Sequence, residues 1–139
     1  MITTNTANTI LKAFFGQASN FSIASTCYIG LSTTTPKNDG SNFTEPAESA
    51  GYARTLLGVS NSSTGWIMDT PANGTIKNTN QIIFFPEATE SWGTVTHFGL
   101  FSAKTGGTPV FWGALTASVA VPVGYIPIFR AGALSVTLT

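Results

Sequence analysis

The sequence predicts an all-β fold: an antiparallel β-sandwich with Greek-key or jelly-roll-like connections, preceded by one short N-terminal α-helix. Three observations carry this expectation. Apolar and β-branched residues recur in short runs separated by turn residues, a single segment has helical spacing, and residues 90–116 (ESWGTVTHFGLFSAKTGGTPVFWGALT) hold two alternating stretches on either side of a glycine-rich break, the pattern of a β-hairpin. Successive side chains in a strand leave opposite faces, so Val95, His97, Gly99 and Phe101 point one way and Thr96, Phe98, Leu100 and Ser102 the other. Both faces are largely apolar or aromatic. Such a strand is expected to be covered on both sides, within a two-layer fold or beneath a neighbouring subunit.

Taken in chain order, the helix comes first. Ala7, Ile10, Leu11, Phe14 and Phe15 fall three and four apart on one stripe, with Thr3, Thr4 or Asn5 able to cap the start and Gly16 the end. Residues 26–31 follow as a strand with Cys27, Ile29 and Leu31 on one face. The polar stretch 32–50, rich in Pro, Gly, Asn and acidic residues, is expected to be a projecting loop. Further strands are expected at residues 52–57, 59–63, 75–78, 81–85, 94–102, 110–115, a short segment about 119–123, and 133–138. Pro86, Pro109, Pro122 and Pro127 fall at the edges of these runs, where a missing N–H is tolerated. Residues 104–108 make the tightest hairpin turn, since Gly106 and Gly107 can take positive φ. The helical segment occupies residues 1–20 and the sandwich residues 21–139 of what reads as a single domain.

A chain of 139 residues fits one domain able to bury roughly two-thirds of the surface its unfolded form exposes. Only 9% of its residues are charged, against about 25% in ordinary soluble domains, and the formal net charge is zero. A surface so poor in charge is poorly protected against self-association, which suggests a subunit whose surface is used up in an assembly. A domain kept in solution by Thr and Ser hydroxyls is the alternative. Nucleic-acid binding is not expected, because the six cations, Lys12, Lys37, Arg54, Lys77, Lys104 and Arg130, are scattered. The single cysteine, Cys27, cannot form an internal disulfide and is expected to be a buried thiol. The N-terminus does not read as an export leader, and no apolar run approaches the roughly 20 residues of a membrane span.

The residues give no chemical constellation. His97 is the only histidine and lacks a recognisable nucleophile and orienting acid, so a hydrogen-bonded structural role is expected for it. A nucleophile elbow fails at residues 58–62 (GVSNS), which end in Ser where the second Gly is needed. The glutamate pairs Glu45 with Glu48 and Glu87 with Glu90 lie in expected loops and read as solvated charges, in preference to a glycosidase acid and base. One histidine and one cysteine do not make a zinc set. Residues 38–42 with Glu45 match a calcium loop poorly, and no glycine-rich turn opens a helix to cradle phosphate. No cofactor or metal is therefore expected. Among the aromatic residues, Trp66 beside Gly65 is the candidate receptor contact, a ring able to stack on a sugar face; Trp92 and Trp112 look more like core or hinge aromatics.

Four segments taken together, residues 28–32 (YIGLS), 51–54 (GYAR), 92–101 (WGTVTHFGLF) and 131–138 (AGALSVTL), resemble small virion proteins of tailed bacteriophages, a group commonly labelled as tail-fibre or minor structural proteins. The helix lies outside these motifs, and residues 123–128 (VGYIPI) are more apolar than the polar turn expected there. Leaving a large apolar side chain wet costs roughly 1.5–3 kcal/mol. Tyr125, Ile126 and Ile128, together with Ile10, Leu11, Phe14 and Phe15 of the helix, are therefore candidate subunit-interface residues. The helical stripe is expected either to seal the end of its own sandwich or to dock into a neighbour. The resemblance implies a noncatalytic β-structured subunit of a phage particle, and with the apolar composition the leading expectation is a tail, baseplate or fibre component assembled from copies of itself in three- or six-fold relation and joined to other virion proteins. A receptor- or carbohydrate-binding module using residues 32–50 and Trp66 to read host glycan, or a capsid decoration protein, is the alternative; an esterase or glycosidase would require His97 or the loop glutamates.

Overall fold

A computed structural model describes residues 1–17, 26–58, 67–68, 74–78 and 82–138. Its elements are α1 (Thr4–Phe14), β1 (Thr26–Ser32), a 3-10 turn (Glu48–Ala50), β2 (Thr55–Gly58), β3 (Ile67–Met68), β4 (Thr75–Lys77), β5 (Ile83–Phe84), β6 (Gly93–Phe101), β7 (Phe111–Val121), β8 (Ile128–Phe129) and β9 (Ser135–Thr137). The described strands form antiparallel sheets in the orders β2-β1-β6-β7, β3-β4-β9 and β5-β8. The fold is thus mostly β with one short helix, as the sequence predicts, in a sandwich-like arrangement.

The hairpin organises the largest sheet. β6 and β7 pair through Leu100 with Phe111, Phe98 with Gly113 and His97 with Ala114, and Gly106 and Gly107 in the connecting turn both have positive φ. Further along, Val95 pairs with Val119, so residues 115–118 of β7 oppose Thr96 alone. This wide bulge bends β7 and explains why the sequence reads as two runs, 110–115 and 119–123, where the structure has one strand. The pairing of Ile29 with Leu100 and Leu31 with Phe98 from β1 to β6, and of Cys27 with Leu57 from β1 to β2, puts these side chains on one face. There they meet Ile83, Phe85, Val121 and Leu134 in a single buried core. Cys27 packs against that core but is only half-buried, where a buried thiol was expected.

Residues 32–50 do not project. The Ser32 hydroxyl accepts the N–H groups of Thr34 and Thr44, Thr33 N–H reaches Thr44 O, and Asn42 Nδ2 donates to Thr35 O, which together fold the segment back on itself. Pro36, Gly40, Pro46 and Ala50 are buried. The strand expected at 52–57 shortens to β2 because Tyr52 and Arg54 leave the ladder for side-chain contacts described below. β3 and β8 were not expected from the sequence, each being two residues defined by its pairing. The strand expected at 59–63 lies outside the described residues.

α1 forms with the predicted ends. Thr3 occupies the N-cap position with extended backbone, although its hydroxyl bonds Thr6 Oγ1 and Val110 O instead of a helix N–H. At the other end Gly16 takes φ +68°, its N–H bonds Ala13 O and the Gln17 N–H bonds Lys12 O, which is a Schellman cap. The start of the helix is tied to the main sheet: Ile2 bridges Phe111, Trp112 N–H donates to Met1 O, and Thr3 N–H donates to Val110 O.

Candidate functional site

The face of the main sheet away from the core carries Tyr28, Gly30, Ser32, Gly99, Phe101 and His97, and the refolded 32–50 segment covers it. Gly30 and Gly99 are cross-strand partners, and their lack of side chains makes room. A Cβ on Gly99 would stand 2.6 Å from Phe43 Cε2, and one on Gly30 2.8 Å from Glu45 Oε1. Phe43 thereby meets Phe101 edge to face at 5.2 Å, while the Arg54 guanidinium lies 3.4 Å from the centre of the Phe101 ring. Both faces of β6 are thus covered from within the chain.

Beside this pair, Arg54 grips Glu45 through two hydrogen bonds, Nε to Oε1 at 2.8 Å and Nη2 to Oε2 at 2.7 Å, and its Nη1 donates to Ala103 O and Gly106 O. The Tyr52 hydroxyl donates to Glu45 Oε1 at 2.7 Å and accepts the Leu31 N–H, a β1 donor past the end of the β2 ladder. Burial, then the Glu45 hydrogen bond and charge, push the Tyr52 phenol far up, so it stays protonated. Glu45 is therefore no solvated loop charge: it is half-buried and fully engaged. Every group in the cluster is consumed by another, which suits a clamp between loop, strand and hairpin turn and leaves no poised base or nucleophile. His97 shares a 2.8 Å hydrogen bond between Nδ1 and Thr96 Oγ1 and lies edge-on to Trp112, and burial lowers its pKa. Among the described residues no group of three or more His, Cys, Asp or Glu is placed to hold a metal, and no helix is long and apolar enough to cross a membrane.

What remains uncovered at the surface is largely apolar. None of α1 is buried, and Leu11, Phe14 and Phe15 are 55%, 83% and 70% exposed. Ile10 is half-buried. A second surface gathers at the corner formed by β5, β8 and the turn before β8, where Tyr125, Ile126 and Ile128 are exposed together with Ile82, Phe84 and Val123. Phe84 and Ile128 are paired across the β5-β8 ladder and so share a face. Tyr125 is fixed beside them by the Ala88 N–H to Tyr125 O hydrogen bond. Six of the seven residues the sequence marks as interface candidates are thus exposed, in two separate groups. Phe84 and Ile82 escaped notice; the signal was there in the unbroken apolar run of residues 82–85, whose outward half needs a cover as much as its inward half. Trp66 lies outside the described residues.

The family model of the podophage GP4 fiber I protein gp80 matches residues 1–137. The chain belongs to that family. The match to the gp80 fibre family takes in α1, which the resemblance read from the sequence left out, so the helix is part of the family pattern along with the sheet. Membership of the gp80 family makes this a bacteriophage fibre protein, a structural component of the virion. No curated protein matches the chain.

Proposed function

We propose that this fibre protein acts without catalysis, as a building block of a tail appendage that assembles from copies of itself and joins other virion proteins. The observation that supports this most directly is the pair of exposed apolar surfaces on a chain with only 9% charged residues. Wet apolar groups at this density are costly for a solitary molecule and become stabilising once covered. The saturated Glu45–Tyr52–Arg54 clamp is consistent with rigidity as the selected property. Copies in three- or six-fold relation, as the particle axis imposes, fit this role. Mass spectrometry of purified, salt-washed particles, with a density map of their appendages, is the test. The proposal expects the chain in stoichiometric amount at an appendage; its absence from washed particles, or turnover of a host polymer by the purified protein, overturns it.

A further inference from the structure

We infer that α1 of one copy docks on the β5-β8 corner of a second copy, a contact that rests on the assembly role proposed above and gives it a geometry. Leu11, Phe14 and Phe15 on the helix and Phe84, Tyr125 and Ile126 at the corner are the largest wet apolar groups of the two surfaces. Covering these six and the apolar residues beside them removes on the order of 1,000 Å² from water, the scale at which a specific interface becomes stable. Charge does not oppose the pairing, since the exposed Arg130 just past β8 offsets Glu87. Lys12 is the only charged residue of α1, and Glu87 stands at the corner, its Oε1 4.0 Å from where a Gly124 Cβ would be.

Topology makes the contact one between copies. α1 is tied at its start to Phe111 and Trp112, the beginning of β7, at one edge of the main sheet. The corner runs from the far end of β7, past Val121, to the opposite edge, where Thr55 Oγ1 of β2 donates to Phe84 O. Across the bulge, Phe111 and Val121 face Leu100 and Gly93, seven steps apart on β6 and about 23 Å of strand, whereas the helix is about 16 Å long. Among the described residues the helix packs on no strand of its own chain. A contact that joins two different patches is heterologous, so it closes into a ring when the rotation divides a full turn and otherwise extends as a filament, either of which suits a fibre.

Two variants test this, both altering only exposed side chains: Phe14→Ser with Phe15→Ser, and Phe84→Ser with Tyr125→Ser. Sedimentation velocity at micromolar concentration is expected to show the wild type assembled and each variant dissociated, with association weakened about a hundredfold or more. The mixture decides the geometry. Each variant keeps the surface the other lacks, so an equimolar mixture is expected to regain a one-to-one pair held by a single intact contact. A helix-to-helix contact would leave the corner variant assembled, a corner-to-corner contact would leave the helix variant assembled, and a helix folded onto its own chain would leave the mixture monomeric; each overturns the inference. A wild type that stays monomeric overturns this contact and the self-assembly part of the proposed function together, while an oligomer indifferent to both variants overturns this contact alone. A retained β-type circular-dichroism spectrum and a cooperative melt that does not vary with protein concentration in both variants confirm that the fold is intact.

Discussion

Gly99 decides what can lie on the second face of the main sheet. With only hydrogen there, Phe43 closes over β6 and reaches Phe101; a methyl group would stand 2.6 Å from the Phe43 ring, inside any tolerated contact. Gly99→Ala is therefore expected to cost about 1–3 kcal/mol in urea unfolding, the range for overpacking a filled site. Adding Phe43→Ala should recover part of that loss, and strictly additive costs would show that the two residues do not touch. His97 offers a pH test. Burial holds its imidazole below the ordinary 6.5, so just below pH 6.5 the unfolded chain binds more protons than the folded one. Its contribution is complete above pH 6.5 and declines as the pH falls toward the folded pKa. Thermal melts between about pH 5.5 and 6.5 should lose stability with acid in the wild type, and His97→Gln should flatten that slope. The structural reading of His97 was available from sequence because a lone histidine without partners has little chemistry open to it. The Glu45–Arg54 pair was not, since the eight residues between them say nothing about where the loop returns.

Among the elements, those whose cause is local were legible. α1 is written in its three-and-four spacing and in Gly16, and the β6-β7 hairpin in its alternation and paired glycines. The segment 32–50 was misread because its composition marks turns without saying where the chain goes; what folds it back is Ser32 meeting Thr44 and Phe43 meeting Phe101, contacts between distant residues. β8 was missed for the same reason, since two residues become a strand only through Phe84 and Ile83 opposite. The corner nonetheless announced itself through residues 123–128, too apolar for a wet turn. α1 raises a further expectation. Its eleven residues bury no side chain, and an isolated helix this short is marginal in water, because nucleation is costly and each added bond returns little. In the monomeric Phe84→Ser, Tyr125→Ser variant, the amides of α1 should exchange with deuterium within seconds, apart from those near the tied start. In the assembled wild type, exchange in the same peptide should slow by orders of magnitude. Equal protection in both would mean that the helix owes nothing to assembly.

The molecule as a whole is poor in charge and rich in uncovered apolar area, and this fixes how its assembly should respond to solvent. An interface built on ion pairs weakens as salt screens it, within about 8 Å at physiological ionic strength. An interface built on apolar burial behaves in the opposite way: excluded salts such as sulfate strengthen it, and cooling weakens it, because the driving force near room temperature is largely entropic. With Lys12 beside the helical surface and the opposite charges Glu87 and Arg130 beside the corner, the apolar term should dominate. Sedimentation velocity in 0.1 M and 1 M sodium chloride should therefore give the same oligomer, 0.5 M sodium sulfate should shift the equilibrium further toward it, and lowering the temperature from 25 to 4 °C should shift it back. Dissociation by sodium chloride alone would place the binding energy in charge, against the composition of the chain. Because mass action couples folding to association, the melting temperature should rise with protein concentration in the wild type and stay level in the dissociated variants.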